Sequence, residues 1–230
     1  MNFISHIEQR NLCQLERVTI FECSFNRSYF EESLFQTYHI DKPNNYVGLS
    51  LKRKAEFLAG RYCAFLSLKH KLGYAISIGI GTHGEPLWPK EVVGSISHSS
   101  TRAIAAVSLQ EEYKYVGIDY ESIVSEEAFH HTHIYIVRPH ELEALSTVYL
   151  NQQQLLTLIF SAKESLYKAL YPYVACYFDF QDAQVVELDI SSGIFKIELV
   201  HDIHENYPCG MQFRGLFTFI DDHVLTLIVQ

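Results

Sequence analysis

Two long helical patterns, each followed by strands, constrain the fold of this chain more than any other feature. Over residues 152–170, Leu155, Ile159, Ala162, Leu166 and Leu170 recur at the spacing of one buried helical stripe. Period-two alternation then takes over in Val185-Val186-Glu187-Leu188, Phe195-Lys196-Ile197-Glu198-Leu199, Leu216-Phe217-Thr218-Phe219-Ile220 and Val224-Leu225-Thr226-Leu227-Ile228-Val229. These read as strands, with Asp221-Asp222-His223 as a hairpin turn. The first half follows the same order. From Ser50, a candidate N-cap, to Leu72, just ahead of the stop signal Gly73, the pattern is helical. Leu51, Ala55, Leu58, Tyr62 and Phe65 fall on one face, while Arg53 and Arg61 lie about two turns apart along the other. Gly94-Ser95-Ile96-Ser97-His98 and Ala103-Ile104-Ala105-Ala106-Val107 read as the strands that come after it. Helix then strands, twice, predicts an α+β fold of two pseudo-symmetric subdomains, residues 1–115 and 116–230.

The rest of the chain carries weaker signals. Residues 1 to about 45 read as mixed strand and loop, with Val18-Thr19-Ile20-Phe21-Glu22-Cys23 as a strand and Asp41-Lys42-Pro43-Asn44-Asn45 as a turn. A length of 230 residues suffices for a substantial core, and 48% apolar and 13% aromatic residues exclude a disordered chain. No unbroken apolar run reaches the roughly 20 residues of a membrane span. The opening Met1-Asn2-Phe3-Ile4-Ser5-His6 lacks the basic lead and apolar block of a secretory signal, so a cytoplasmic protein is expected. Cys13, Cys23, Cys63, Cys176 and Cys209 are odd in number and scattered, which suggests reduced, mostly buried thiols. A net charge of −9 argues against general nucleic-acid binding, so any phosphate site must be a local basic pocket.

The chemistry concentrates in Val116-Gly117-Ile118-Asp119-Tyr120-Glu121. In an extended segment Asp119 and Glu121 point to the same side, and two such anions call for a cation. A third carboxylate, Glu164, shares a helix face with Lys168. Three oxygen donors on two rigid elements suit Mg²⁺, although a solvated strand end and a surface ion pair fit the same residues. Ser97 and His98 end a strand in a hydroxyl-rich loop suited to phosphate. A serine nucleophile there would lack the glycine elbow of hydrolases, because His98 stands where the second glycine belongs. His130, His131 and His133, in a short helix or loop from Ser125, invite a zinc reading without supplying a second ligand type. Arg138-Pro139-His140-Glu141 reads as the opening of a further helix.

Five segments, taken in order, resemble the 4′-phosphopantetheinyl transferases, in particular the enterobactin synthase component D group that serves siderophore-type peptide synthetases. They are Lys52-Arg53-Lys54-Ala55-Glu56-Phe57-Leu58-Ala59-Gly60-Arg61, Gly84-Glu85-Pro86-Leu87-Trp88-Pro89, Gly94-Ser95-Ile96-Ser97-His98-Ser99, Gly117-Ile118-Asp119-Tyr120-Glu121, and Phe160-Ser161-Ala162-Lys163-Glu164-Ser165-Leu166-Tyr167-Lys168-Ala169. The resemblance implies an active site at the interface of the subdomains. It also implies Mg²⁺-dependent transfer of the phosphopantetheine arm of coenzyme A to a serine of an apo acyl, peptidyl or aryl carrier protein, by a monomer. Asp119, Glu121 and Glu164 match the metal-binding carboxylates, and Lys168 matches the lysine that contacts the reacting phosphate. Arg53, Arg61, Ser97 and His98 match positions that hold the nucleotide, while Glu141 matches a further acidic residue near the site. Some relatives carry Lys or Arg where this chain has Glu85. Glu164 or Glu141 would take the serine proton, with Arg138 and Lys163 as candidates for a carrier-docking patch. A siderophore, polyketide or polyunsaturated fatty-acid synthase would be served. A non-catalytic coenzyme A-binding paralogue and a metal-dependent phosphohydrolase are the alternatives.

Overall fold

Ser50 begins the first long helix as its spacing predicts, its hydroxyl accepting from Arg53 N at 3.3 Å, and Gly73, at φ 79°, ends it. In the computed structural model, which describes every residue except Met1, Cys13, Gln14, Asn44, Asn45 and His83, the chain divides into two units, Met1–Val116 and Gly117–Gln230. The first contains β1 (Ile4–Arg10), β2 (Thr19–Phe25), α1 (Leu34–Thr37), α2 (Leu51–Leu72), β3 (Gly79–Ile80), β4 (Pro86–Leu87), β5 (Val92–His98) and β6 (Arg102–Leu109). Its main sheet runs β1-β2-β6-β5 with every neighbouring pair antiparallel, and β3 and β4 pair separately. Helix α2 buries Ala55, Leu58, Ala59, Cys63, Ala64 and Leu68 in one cluster with Cys23 and Phe25 of β2 and Ala103, Ala105 and Val107 of β6. Small residues on both elements let helix and sheet approach closely.

Two details of α2 depart from the sequence reading. Leu51 lies outside the stripe and is exposed. Arg53 is exposed while Arg61 is buried, because eight residues carry a side chain about 80° past two full turns. The single tryptophan, Trp88, packs on β5 where Gly94 leaves room: a Cβ there would lie 2.8 Å from Trp88 Cζ2. The expected turn at 41–45 is described only in part, since Asn44 and Asn45 lie outside the described residues.

The second unit contains β7 (Val116–Ser122), α3 (Glu126–Ile136), α4 (Glu141–Ala144), α5 (Gln152–Val174), β8 (Ala183–Asp189), β9 (Ile194–Leu199), β10 (Gln212–Ile220) and β11 (His223–Val229). Its sheet runs β7-β11-β10-β9-β8, with β10 antiparallel to both β9 and β11. Asp221, at φ 54°, makes the tight β10–β11 turn. Asn151 and Gln154 form a reciprocal capping box at the start of α5, at 2.8 and 3.0 Å. The helix runs to Val174, past the expected end at Leu170, with Pro172 in its last turns. Ser125 caps α3, whose helix passes the histidines and ends at Ile136. The helix expected after Arg138 is only one turn, Glu141–Ala144, and it starts from His140 at φ 66°.

Among the described residues no helix is long and apolar enough to cross a membrane. Cys23 and Cys63 are buried with their sulfurs 3.4 Å apart, whereas Cys176 and Cys209 are exposed, against the expectation of mostly buried thiols. Cys13 lies outside the described residues.

Candidate active site

Gly117 sets the closeness of β7 and α5. A Cβ there would lie 2.0 Å from the Ser165 carbonyl oxygen and 2.8 Å from Ala169 Cβ, so only glycine lets the helix rest on this strand. Two residues on, Asp119 occupies the same strand face and is 1% exposed. Its Oδ2 accepts from Ser161 Oγ at 2.8 Å, and its Oδ1 accepts from Lys168 Nζ at 2.5 Å. Ser161 and Lys168 are seven residues apart, so about two turns of α5 grip one carboxylate. Behind them, Thr226 of β11 donates to the Ser161 carbonyl at 2.8 Å, and its hydroxyl lies 2.6 Å from Ser165 Oγ. This fully buried hydroxyl column holds helix, strand and carboxylate in one geometry.

Glu164 stands one turn before Lys168 on the same helix, half-buried. Burial pushes its carboxyl above the usual carboxylate range, the charge of Asp119 adds to the rise, and Lys168 opposes it. Beside it opens a cavity of about 130 Å³ whose aromatic walls are Tyr167, Tyr177, Phe178 and Phe180. Glu121 follows Asp119 by two residues on β7, nearer the strand end and partly exposed. Among the described residues no group of three or more His, Cys, Asp or Glu side chains is gathered closely enough to hold a metal ion. At Asp119 it is Lys168 that supplies the positive charge. The donor set nevertheless suits a hard cation: these donors are carboxylate oxygens, and the charged form of Glu164 is disfavoured by burial and by its acidic neighbour.

Glu141 is placed differently from a solvent-facing acid. It is 5% exposed, its Oε1 accepts from Val185 N at 2.8 Å, and its Oε2 accepts from Arg138 N and Lys163 Nζ, both at 2.8 Å. Lys163 is 2% exposed and donates also to the Ile136 carbonyl at 2.8 Å, which removes it from any docking patch. Arg138 is partly buried, with Nη1 donating to the Gln181 carbonyl at 2.8 Å.

In the first unit, Arg61 is 4% exposed. Its Nη1 donates to the carbonyls of Ile78 at 3.3 Å and Gly79 at 2.8 Å, and its Nη2 donates to that of Gly84 at 3.1 Å. The guanidinium also lies over the Phe57 ring at 5.0 Å. Burial lowers its pKa to about 10. Arg53 instead turns to Glu56, with Nη1 3.1 Å from Oε2, and His98 Nδ1 lies 3.8 Å from the same oxygen. Lys52 Nζ lies 3.7 Å from the other oxygen. Buried Glu56 thus gathers three basic side chains, and Ser97 lies buried beside His98 at the end of β5. The sequence reading passed over Glu56, although its spacing of three and four residues from Arg53 and Lys52 is the signal for such a pairing. His133 stacks on Phe129 at 5.2 Å, with Nδ1 2.9 Å from the Phe129 carbonyl of its own helix.

Comparison with known proteins adds an independent line. Residues 49–108 match the family described as 4′-phosphopantetheinyl transferase N-terminal domain, and residues 115–227 match the 4′-phosphopantetheinyl transferase superfamily. The chain is similar to enterobactin synthase component D of Escherichia coli (strain K12), 45% identical over 118 residues that cover 51% of this chain and 55% of that protein. It is also similar to 4′-phosphopantetheinyl transferase Npt of Nocardia iowensis, 30% identical over 187 residues that cover 77% of this chain and 82% of that one. A third relative, 4′-phosphopantetheinyl transferase PptT of Mycobacterium tuberculosis (strain ATCC 25618 / H37Rv), is 29% identical over 62% of each chain. The match thus spans about half the length of the enterobactin synthase component D relatives and most of Npt.

Proposed function

We propose, because this chain belongs to the 4′-phosphopantetheinyl transferase superfamily, that it transfers the phosphopantetheine arm of coenzyme A to a serine hydroxyl of an apo acyl, peptidyl or aryl carrier protein. Adenosine 3′,5′-bisphosphate leaves. The observation that carries the reading is the convergence on one strand–helix contact of buried Asp119, Lys168 and the carboxyl of Glu164. In the free protein burial and Asp119 hold the carboxyl of Glu164 above the usual carboxylate range, and on this reading Glu164 takes the serine proton, directly or through water. Lys168, held on Asp119, offsets negative charge on the phosphate under attack. Asp119, Glu121 and Glu164 would hold Mg²⁺ by closing together on it, since they are not gathered for it in this structure; the ion, when bound, draws charge off phosphate oxygens. Arg53 and His98, gathered on Glu56 with Ser97 nearby, supply the local basic pocket for the nucleotide phosphates that a chain of net charge −9 requires. Arg61 supports this pocket by fixing the 78–84 backbone. The aromatic cavity beside Glu164 has room for part of the slender arm, whose methyl and methylene groups suit its walls.

On this reading the protein works as a monomer in the cytoplasm. The name of the enterobactin synthase relatives favours carriers of siderophore-type peptide synthesis. The test is to incubate the chain with coenzyme A, Mg²⁺ and a panel of apo carriers and to weigh the products. A mass gain on a carrier serine supports transfer, and Asp119→Ala is expected to abolish it while leaving the thermal melt cooperative. Phosphate release without any carrier would mark a phosphohydrolase instead, and coenzyme A binding without turnover a non-catalytic paralogue.

A further inference from the structure

The transferase reading leaves unexplained why a lysine and a glutamate beside the site are sealed from solvent. Their side chains are each 2% exposed and meet at 2.8 Å. Together they tie four elements: Lys163 on α5, the Ile136 carbonyl at the end of α3, Glu141 on α4 and Val185 N on β8. Three donors share the two oxygens of Glu141, one of them Arg138 N in the turn before α4. A carboxylate so engaged is badly placed to collect a proton from an incoming hydroxyl.

A buried ion pair is weak ground for stability in itself, since apolar side chains of similar volume often do as well; what such a pair fixes is geometry. The geometry at stake is local. Lys163 immediately precedes Glu164, both border the aromatic cavity, and consecutive helical side chains are about 100° apart. Anchoring the Lys163 ammonium to α3 and α4, and through Glu141 to β8, therefore fixes the rotation of α5 at Glu164.

We infer that Glu141 and Lys163 are positioning residues, a buried strut that holds Glu164 in its working direction, and that Glu141 takes no proton from the carrier. The inference rests on the transferase reading for the task of Glu164 but makes its own prediction. Lys163→Met cuts the strut only where it meets α5, leaving Glu141 its two backbone donors. Lys163→Gln keeps an N–H donor near the pair and serves if the Met variant does not fold.

The deciding measurement is Mn²⁺ affinity by calorimetry, with coenzyme A present, below the melting transition of each protein. A loss of about tenfold or more relative to wild type is expected for Lys163→Met, with a smaller loss for Lys163→Gln. In the transfer assay, with rates expressed per folded molecule, the same variants should lose kcat while KM for the carrier holds. Mn²⁺ affinity within twofold of wild type in the folded variant overturns the strut, as does a wild type that takes up no Mn²⁺. A wild type that binds Mn²⁺ but modifies no carrier sinks the transferase reading instead, and the strut then stands or falls on the affinities alone.

Discussion

At Glu164, burial and the charge of Asp119 act in the same direction, and the consequence is measurable in the free protein. A carboxyl whose folded pKa lies above its unfolded one holds its proton more tightly when folded, so its contribution declines as pH rises through that interval. At neutral pH the ionised group is therefore a net cost. Glu164→Gln is expected to melt a few °C higher than wild type near neutrality. The difference should vanish in acid, where both states of the wild type carry the proton, and transfer activity should be lost throughout. Melts of both proteins across the acid-to-neutral range check this; a variant less stable than wild type at neutral pH would mean that the Lys168 attraction outweighs burial. What the sequence conveys at this scale is uneven. Period two places Asp119 and Glu121 on one strand face, and helical spacing places Glu164 near Lys168, because both inferences are local. The partners of Glu141 were invisible: Val185 N lies 44 residues away, and no periodicity marks a backbone donor. Arg61 was likewise read by charge, whereas its carbonyl partners lie 17 to 23 residues downstream.

For the elements, the decisive contact is α5 on β7, and Gly117 decides it. Any side chain there meets the Ser165 carbonyl at 2.0 Å, which is backbone within a helix buried along its length and cannot yield cheaply. Gly117→Ala is expected to destabilise the protein by about 3 kcal/mol, at the upper end of overpacking costs, because strand and helix must separate. Separation also lengthens the Asp119 contacts to Ser161 and Lys168, so transfer should fall more steeply than stability. Denaturant unfolding and the carrier assay, run on the same preparation, compare the two losses; unchanged stability would mean that α5 can shift freely. Elements with strong periodicity, α2 and α5, were legible to within a few residues. Strand β1 was not placed individually, since Ile4–Arg10 is largely polar and only Ile4 in it is buried. The helix expected after Arg138 is a single turn, and no side-chain pattern marks the left-handed backbone at His140 from which it starts.

Over the whole molecule, the twice-repeated order of helix and strands was sufficient for the α+β class, because each long helix lies against the sheet of its own unit. Net charge acts at this scale too. At −9 the chain repels an acidic carrier at long range, and Lys163, once a candidate for offsetting that repulsion, is sealed inside the second unit. Association with an acidic carrier must then depend on short-range contact, with the overall field opposing it. Raising salt shortens the screening length from about 30 Å at 0.01 M to about 8 Å at 0.15 M, which removes long-range repulsion before it weakens contacts at 3–4 Å. The expectation is that kcat/KM for an acidic carrier stays level or rises over this range, while that for a carrier of near-zero charge barely changes. Steady-state kinetics on two carriers of different charge separate the cases. A steep fall with salt for the acidic carrier would mean that a basic surface dominates the encounter, with Lys52, Arg53 and Lys54 on exposed and half-exposed positions of α2 the first residues to replace.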